Sequence, residues 1–345
     1  MQFDTSPPPQ WRSPATVGGM MRTVLYALAP ALLAHVWFYG PGIVLNITVA
    51  LLAAVLTEAA CLRLAGKPTA PFLADGSALV TAVLFAFCIP PLCPWWVTTI
   101  GIVFGIAVAK HAYGGLGYNL FNPAMAGYVL VLVSFPDLMT AWPAPDIGDL
   151  DYVRPDIAAS FQYFLTGTLP DGLTIDAVAR ATTLDSTKEG LGLMRTMEEI
   201  RVNPVFGDFG GAGWEWISNF IAIGGFGLLL RGVIRWHTPA AVLIGLLGMA
   251  SFAWLLDPNT HPSPGFHLFS GGAMLGAFFI ATDPVSSPTT ARGRLVYGAC
   301  IGVLTWLIRA FGSYPDGVAF AVLLMNLAVP LIERYTRPRI YGRPA

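Results

Sequence analysis

Residues 42–64 read GIVLNITVALLAAVLTEAACLRL, and this stretch decides the solvent in which the protein folds. A helix of ~20 apolar residues matches the hydrocarbon core of a bilayer. This run has that length and holds its charged residues, Glu58 and Arg63, near its end. Working outward, further apolar runs lie near 22–40, 77–91, 95–110, 122–141, 214–230, 238–255, 266–282, 294–312 and 316–333, separated by short polar or Pro/Gly breaks. Of the 345 residues, 55% are hydrophobic and only 11% charged, where an ordinary soluble domain carries roughly 25% charged residues. The expectation is an all-α polytopic membrane protein with about ten transmembrane helices, one for each run.

Charge gives the orientation. With the N-terminus inside, the inner ends and loops hold Arg12, Arg22, Arg63, Lys67, Lys110, Arg231, Arg235, Arg292, Arg294, Arg334, Arg337, Arg339 and Arg343, most of the 19 basic residues. The other side has Arg309 in its short segments, plus Arg154, Arg180, Lys188, Arg195 and Arg201 in one long stretch. This is the positive-inside pattern, so both termini are expected in the cytoplasm and residues 142–213 on the outer face. A connection of that length usually carries function. The polar, Pro-rich N-terminus lacks an apolar core with a small-residue cleavage site and does not read as a removable signal peptide.

Several classes drop out. A net charge of −1 offers no basic face to a nucleic acid. Cys61, Cys88, Cys93 and Cys300 contain no CxxC pair, and His35, His111, His237, His261 and His267 have no HExxH spacing, so no metal site is expected within the chain. Cys88 and Cys93 are close enough in sequence for a disulfide if they face an oxidising compartment. Phosphate-binding loops, nucleophile elbows and dinucleotide fingerprints are absent from the sequence.

The runs also echo one another. SALVTAVLFA (77–86) and GAMLGAFFIA (272–281) share three alanines and a small/large pattern. The fifth run (NPAMAGYVLVLVSFP) and the tenth (DGVAFAVLLMNLAVP) each follow an aromatic, Gly-rich turn and close on proline. Five spans per half reverse the orientation, which predicts an inverted repeat with ligand sites at the repeat interface, where broken helices expose backbone groups. Generic small-residue packing produces similar patterns.

Two polar, Gly-rich segments sit at inner ends: YGGLGYNLFNPAMAGY (113–128) and ATDPVSSPTTARGR (281–294). Asn119, Asn122, Thr282 and Asp283 offer donors and acceptors of the kind a flavin ring edge or ribityl chain requires, and polar groups at membrane depth are expensive unless used. Asn122 and Asp283 are equally suited to capping helices. At the outer face, LIRAFGSYPDGVAF (307–320) gathers Arg309, Tyr314 and Asp316 around a turn opposite CIPPLCPWW (88–96). An anion-binding or stacking role is one reading. Snorkelling of Arg309 and an aromatic-belt position for Trp95 and Trp96 are the others. Glu58 reads either as a proton or cation ligand or as a partner of nearby Arg63. DAVARATTLDSTKEG (176–190) in the long segment reads on composition as a solvated turn.

That last segment, with YGGLGYNLFNPAMAGY, GAMLGAFFIATDPV and IRAFGSYPDGVAFAVLLMNLAVPLIERYTRPRIYG, closely resembles the D subunits of Rnf (Rsx) ion-translocating oxidoreductase complexes over nearly the whole chain. More distantly it is similar to the B subunits of Na+-translocating NADH:quinone reductases, whose architecture is urea-transporter-like. The resemblance implies FMN esterified through its phosphate to a threonine of a Ser-x-Ala-Thr type motif in the outer loop, installed by a separate flavin transferase. Here Ala179-Arg180-Ala181-Thr182 occupies the motif, with Asp176 upstream, which makes Thr182 the attachment residue. Ala179 departs from the usual serine and Arg180 from glycine. Thr183, Ser186 and Thr187 are the neighbouring hydroxyls. The resemblance further implies a second, non-covalent flavin, riboflavin or FMN, toward the inner side, for which Asn119, Asn122 and Asp283 are the candidates; Arg309, Tyr314 and Asp316 remain candidates at the outer face.

The implied division is a cytoplasmic segment (1–21), a first five-helix half (22–141), an outer loop bearing the flavin motif (142–213), a second five-helix half (214–333) and a basic cytoplasmic tail (334–345). The implied role is a flavin-bearing electron-transport subunit of a redox-driven, ion-translocating complex in a bacterial inner membrane. It would relay electrons between ferredoxin- and NAD-linked subunits beside a second covalent flavoprotein and iron–sulfur subunits, coupled to Na+ or H+ movement, with no catalytic side chain of its own. A small-solute transporter or channel, and a non-redox scaffold of such a complex, are the competing readings.

Overall fold

The computed structural model describes residues 16–146 and 156–337. Arg12, Arg154, Arg339 and Arg343, which enter the charge asymmetry, lie outside the described residues, as does the side chain of Asp176. The chain is mostly helical. Among the described residues, five helices are long and apolar enough to cross a membrane: Val17–Tyr39, Gly42–Leu64, His237–Leu256, Ala291–Phe311 and Val318–Thr336. Shorter apolar helices are Ser77–Cys88, Trp95–His111, Pro123–Ser134 and Trp214–Leu230.

Local chemistry sets their ends. Thr16 caps the first helix by accepting from the Gly19 amide, so it begins ahead of the expected 22, and Gly40, at φ 84°, closes it. The third run stops at Cys88, short of the expected 91, because Pro90 and Pro91 cannot continue a helix. The fifth expected span is two helices, Pro123–Ser134 and Pro136–Thr140, since Pro136 drives Phe135 out of helical geometry. The eighth is also broken. Pro264–Phe269 ends at extended Ser270, Gly271 takes φ 62°, and the helix resumes over Ala273–Leu275 and widens to π-helix at Gly276–Ile280. A second π-helical stretch, Phe104–His111, ends the fourth span. A wider turn shifts the facing of the side chains after it, and here Lys110 ends up buried.

Close backbone approach holds the bundle. A Cβ on Gly224 would lie 2.0 Å from the Ala27 carbonyl, and one on Gly302 2.2 Å from that of Val242. These are the small-residue contacts by which helices pack where water gives no drive. His237–Leu256 and Ala291–Phe311 pack most extensively, followed by Val17–Tyr39 with Trp214–Leu230. The pairing repeats along the chain. Gly42–Leu64 meets Ser77–Cys88 and Trp95–Val103, while His237–Leu256 meets Pro264–Phe269 and Ala291–Phe311; Pro123–Ser134 meets Val318–Thr336.

The described residues of the expected outer loop, 142–146 and 156–213, are more structured than a loop. Trp142–Pro143 pairs antiparallel with Ala179–Arg180, and helices run over Ile157–Thr166, Thr183–Gly192 and Met197–Arg201. The stretch expected as a solvated turn is therefore a helix from Thr183 onward, held to the bundle by its own contacts. Lys188 donates to the carbonyls of Gly312 and Tyr314, and the exposed Trp95 indole donates to Leu165 O at 3.2 Å. The four cysteines are free, so the disulfide considered for Cys88 and Cys93 is not formed. Cys88 Sγ instead donates to Leu84 O.

Candidate functional site

The two-residue β pairing delivers Thr182 to one end of the bundle. Thr182 is the N-cap of helix Thr183–Gly192: its Oγ accepts from the Asp185 amide at 3.2 Å, and its own amide donates to Asp185 Oδ2 at 3.3 Å. The Oγ hydroxyl also donates to Asp185 Oδ2, at 2.5 Å. Burial pushes the Asp185 carboxyl above the usual carboxylate range, and the Thr182 hydrogen bonds oppose that rise. Burial likewise lowers the Lys188 ammonium, with Asp185 opposing.

Thr182 and Asp185 stand at a cavity that enters the bundle at this end. Tyr39, Phe87, Tyr128, Trp142 and Trp214 supply aromatic walls, and Met125, Leu132, Leu275 and Ile280 line it more deeply. Its free space is about 140 Å³, far above the ~10–15 Å³ that admits one water. Asp316 reaches the same cavity, and Arg309 holds it there. Arg309 Nε and Nη2 both donate to Asp316 Oδ1 at 3.1 Å, while Nη1 donates to His267 O at 2.6 Å and Nη2 to Ser270 O at 2.9 Å. Asp316 Oδ2 accepts from the Gly272 amide at 2.6 Å. The guanidinium is thus buried, 2% exposed, and does not snorkel; it satisfies carbonyls freed by the helix break. Tyr314 is outside the lining, with its ring against Phe320 and its carbonyl taken by Lys188.

Asn119, Asn122 and Asp283 come together at the opposite end, around a second cavity of about 160 Å³ that also involves Ser77, Thr81, Lys110 and Thr282. Asn122 does cap its helix, accepting from Met125 N at 3.2 Å. Asp283 caps none; its two oxygens hold the turn through Val285 N and Ser286 Oγ. Asn119 Nδ2 donates to Phe121 O, whereas its buried Oδ1 has no hydrogen-bond partner among the described residues.

Three buried polar residues were missed as site elements, and two of them, Lys110 and Asn326, organise this region. Lys110 Nζ donates to both Glu58 oxygens at 2.7 Å and to Ser77 Oγ at 2.8 Å, so the partner of Glu58 is Lys110 and not Arg63. Asn326, fully buried, accepts from Asn122 N at 3.1 Å and donates to Ser286 O and Tyr297 OH. At the other end of the bundle, Asn46 donates to the carbonyls of Pro90 and Pro91 and accepts from Thr98 Oγ. The available signal was a lone amide inside an apolar run, LNIT or LLMNLAV.

Over residues 4–342 the sequence matches the NQR2, RnfD, RnfE family. It is 50% identical over 331 residues, 94% of each chain, to a protein of Aeromonas hydrophila named as the D subunit of an ion-translocating oxidoreductase complex. A Pseudomonas aeruginosa protein of the same name is 51% identical over 335 residues, covering 96% of this chain and 92% of the relative. One from Escherichia fergusonii, also so named, is 46% identical over 350 residues, 99% of each chain. With two cavities entering a polytopic helical bundle from opposite ends and likeness along nearly its whole length, this chain belongs to the NQR2, RnfD, RnfE family.

Proposed function

We propose that this chain is the flavin-bearing membrane subunit of an ion-translocating oxidoreductase complex, with FMN esterified to Thr182 in the first cavity and a second, non-covalent flavin in the other. The observation that carries the reading is the placement of Thr182: a helix-capping hydroxyl at the edge of an aromatic-walled cavity. A phosphoester there keeps the phosphate outside, with the aromatic walls available to a planar ring. The second cavity supplies Asn119, whose buried Oδ1 lacks a partner among the described residues, and the cation of Lys110. Bound flavin would accept and release one or two electrons, and the chain's task is to hold it near its redox partners and tune it.

The two cavities come within one residue of each other along the chain. Ala124 and Phe279 line one, and the next residues, Met125 and Ile280, line the other. Electron tunnelling falls steeply with distance, so such back-to-back placement favours relay between two cofactors. Oriented by the positive-inside pattern, Thr182 faces the outer side of the inner membrane and Asn119 the cytoplasmic side, with ten crossings in two inverted halves. The repeated helix pairing supports those halves, as do Gly76 and Gly271, both at positive φ immediately before the echoed segments. The chain then passes electrons between ferredoxin- and NAD-linked subunits, beside a second covalent flavoprotein and iron–sulfur subunits, coupled to Na+ or H+ movement.

The test is in-gel flavin fluorescence of the denatured protein from cells expressing a flavin transferase, beside Thr182→Ala. A band in the parent that vanishes in the variant is expected. Absence from both, with the transferase active, would overturn the reading in favour of a scaffold or solute transporter. A band surviving in Thr182→Ala would move the linkage to a neighbouring hydroxyl.

A further inference from the structure

We propose that Asp185 is the proton acceptor when Thr182 receives its flavin phosphate, so that the protein being modified brings its own base to the reaction. The inference rests on Thr182 as attachment residue and adds the group that makes its hydroxyl a nucleophile.

A threonine hydroxyl is a weak nucleophile until a positioned base takes its proton. A capping box requires two bonds, from the N3 amide to the cap oxygen and from the cap amide to the N3 side chain, and both are present here. The third bond is extra: Thr182 Oγ–H points at Asp185 Oδ2 from 2.5 Å, the length of a charge-assisted bond from a hydroxyl to a carboxylate and close enough for direct proton transfer. Neighbouring hydroxyls lack this arrangement. Thr187 Oγ donates to the Thr183 carbonyl, and Thr183 and Thr187 are both buried. Both members of the pair border the aromatic-walled cavity, so the reacting oxygen stands where the ring has somewhere to go.

A phosphodiester does not form from a free phosphate monoester in water without activation, so the donor is a flavin dinucleotide with a pyrophosphate. Thr182 Oγ forms the new bond to the flavin-side phosphorus. The bond from that phosphorus to the bridging oxygen breaks, and the adenylate leaves with the electron pair. The Oγ proton passes to Asp185 Oδ2, and nothing is oxidised or reduced. Of the titratable and charged groups facing Asp185, Lys188 on its own helix favours the ionised carboxylate and Asp316 from the turn before Val318–Thr336 opposes it, while Arg180 and the phenol of Tyr128 border the same cavity. Burial raises the proton affinity of the carboxylate, which strengthens it as a base while moving the pH at which it ionises upward.

The experiment measures the initial rate at which the purified full-length protein gains denaturation-resistant flavin fluorescence from flavin adenine dinucleotide and a flavin transferase. Parent, Asp185→Asn, Asp185→Glu and Thr182→Ala are compared across pH. Asparagine keeps acceptor geometry but cannot take the proton, so a fall of ~100-fold or more is expected at neutral pH, with an unchanged melting midpoint. Only ionised Asp185 serves, so the parent rate should decline toward that of Asp185→Asn as pH drops through the raised carboxyl pKa. Asp185→Glu should restore part of the rate and the pH dependence. Loading of Asp185→Asn within about threefold of the parent at every pH, well short of a general-base contribution, would overturn the proposal. A large loss by a factor independent of pH would also overturn it, leaving Asp185 a positioning residue. No flavin on the parent, or full loading of Thr182→Ala, would instead sink the attachment reading on which this one stands.

Discussion

The buried pair between Glu58 and Lys110 offers a quantitative test of the packing. Both side chains are 2% exposed, and the ammonium is shared between two carboxylate oxygens and Ser77 Oγ at 2.7–2.8 Å. Lys110→Met strips the Glu58 carboxyl of its ammonium partner and leaves it only the imidazole of His111, Nε2 at 3.4 Å; breaking a buried pair costs about 3–5 kcal/mol, whereas replacing both members by apolar residues is often close to neutral. Glu58→Leu with Lys110→Met should therefore recover most of the loss, a coupling of roughly 2–3 kcal/mol. The free cysteines supply the readout: Cys93 is buried, so a thiol-reactive fluorogenic dye reports its exposure on heating in detergent. For a chain of this size the single variant should lower the apparent midpoint by roughly 5–10 °C, read at one heating rate because unfolding of such proteins is seldom reversible. Equal midpoints for Lys110→Met and the double variant would refute the reasoning, since the loss would then come from packing of the lysine stem and not from a stranded charge.

Asn326→Leu removes the acceptor of Asn122 N and the donor to Ser286 O and Tyr297 OH; with buried orphans costing about 1–3 kcal/mol each, it should destabilise at least as much as Lys110→Met in the same dye assay. Gly302→Val places a Cβ 2.2 Å from the Val242 carbonyl, while Gly248, on the facing helix, has nothing within 4 Å. The first should exceed the ~1–3 kcal/mol usual for overpacking; Gly248→Ala should leave the midpoint unchanged or raise it, since alanine is ~1 kcal/mol better than glycine in a helix.

Much of the helix plan was legible because hydropathy and proline act locally. Runs bounded by Pro/Gly breaks became helices, and Asn122 capped one as its chemistry allows. Internal breaks were less legible. The eighth run reads as one span despite the Ser270-Gly271-Gly272 within it, and Gly271 at positive φ, with Asp316 and Arg309 from elsewhere in the chain, shows how it tolerates a kink. Lys110 sits at a run's edge, where a solvated lysine is the ordinary expectation. A π-helical turn and a carboxylate on another helix make it buried, and neither shows in a hydropathy window. The grouping of candidate polar residues at two ends of the bundle follows sequence spacing. Asp185 as the partner of the Thr182 hydroxyl does not, because a cap three residues upstream is ordinary helix grammar until the distance is measured.

The adjacency of the two cavities also fixes where the membrane's permeability barrier is thinnest. Water entering from one side along the Thr182 cavity and from the other along the Asn119 cavity would be parted near Ala124–Met125 and Phe279–Ile280, where consecutive residues line the two cavities. That septum is wholly apolar and tightly filled, each of the four residues being at most 6% exposed. On the proposed reading such an apolar layer is what prevents a short circuit: a hydrated path there would dissipate the ion gradient that the complex is proposed to build. Met125→Ser, which shortens and wets the layer, should make proteoliposomes leak protons, a defect that electron transfer rates alone would not reveal.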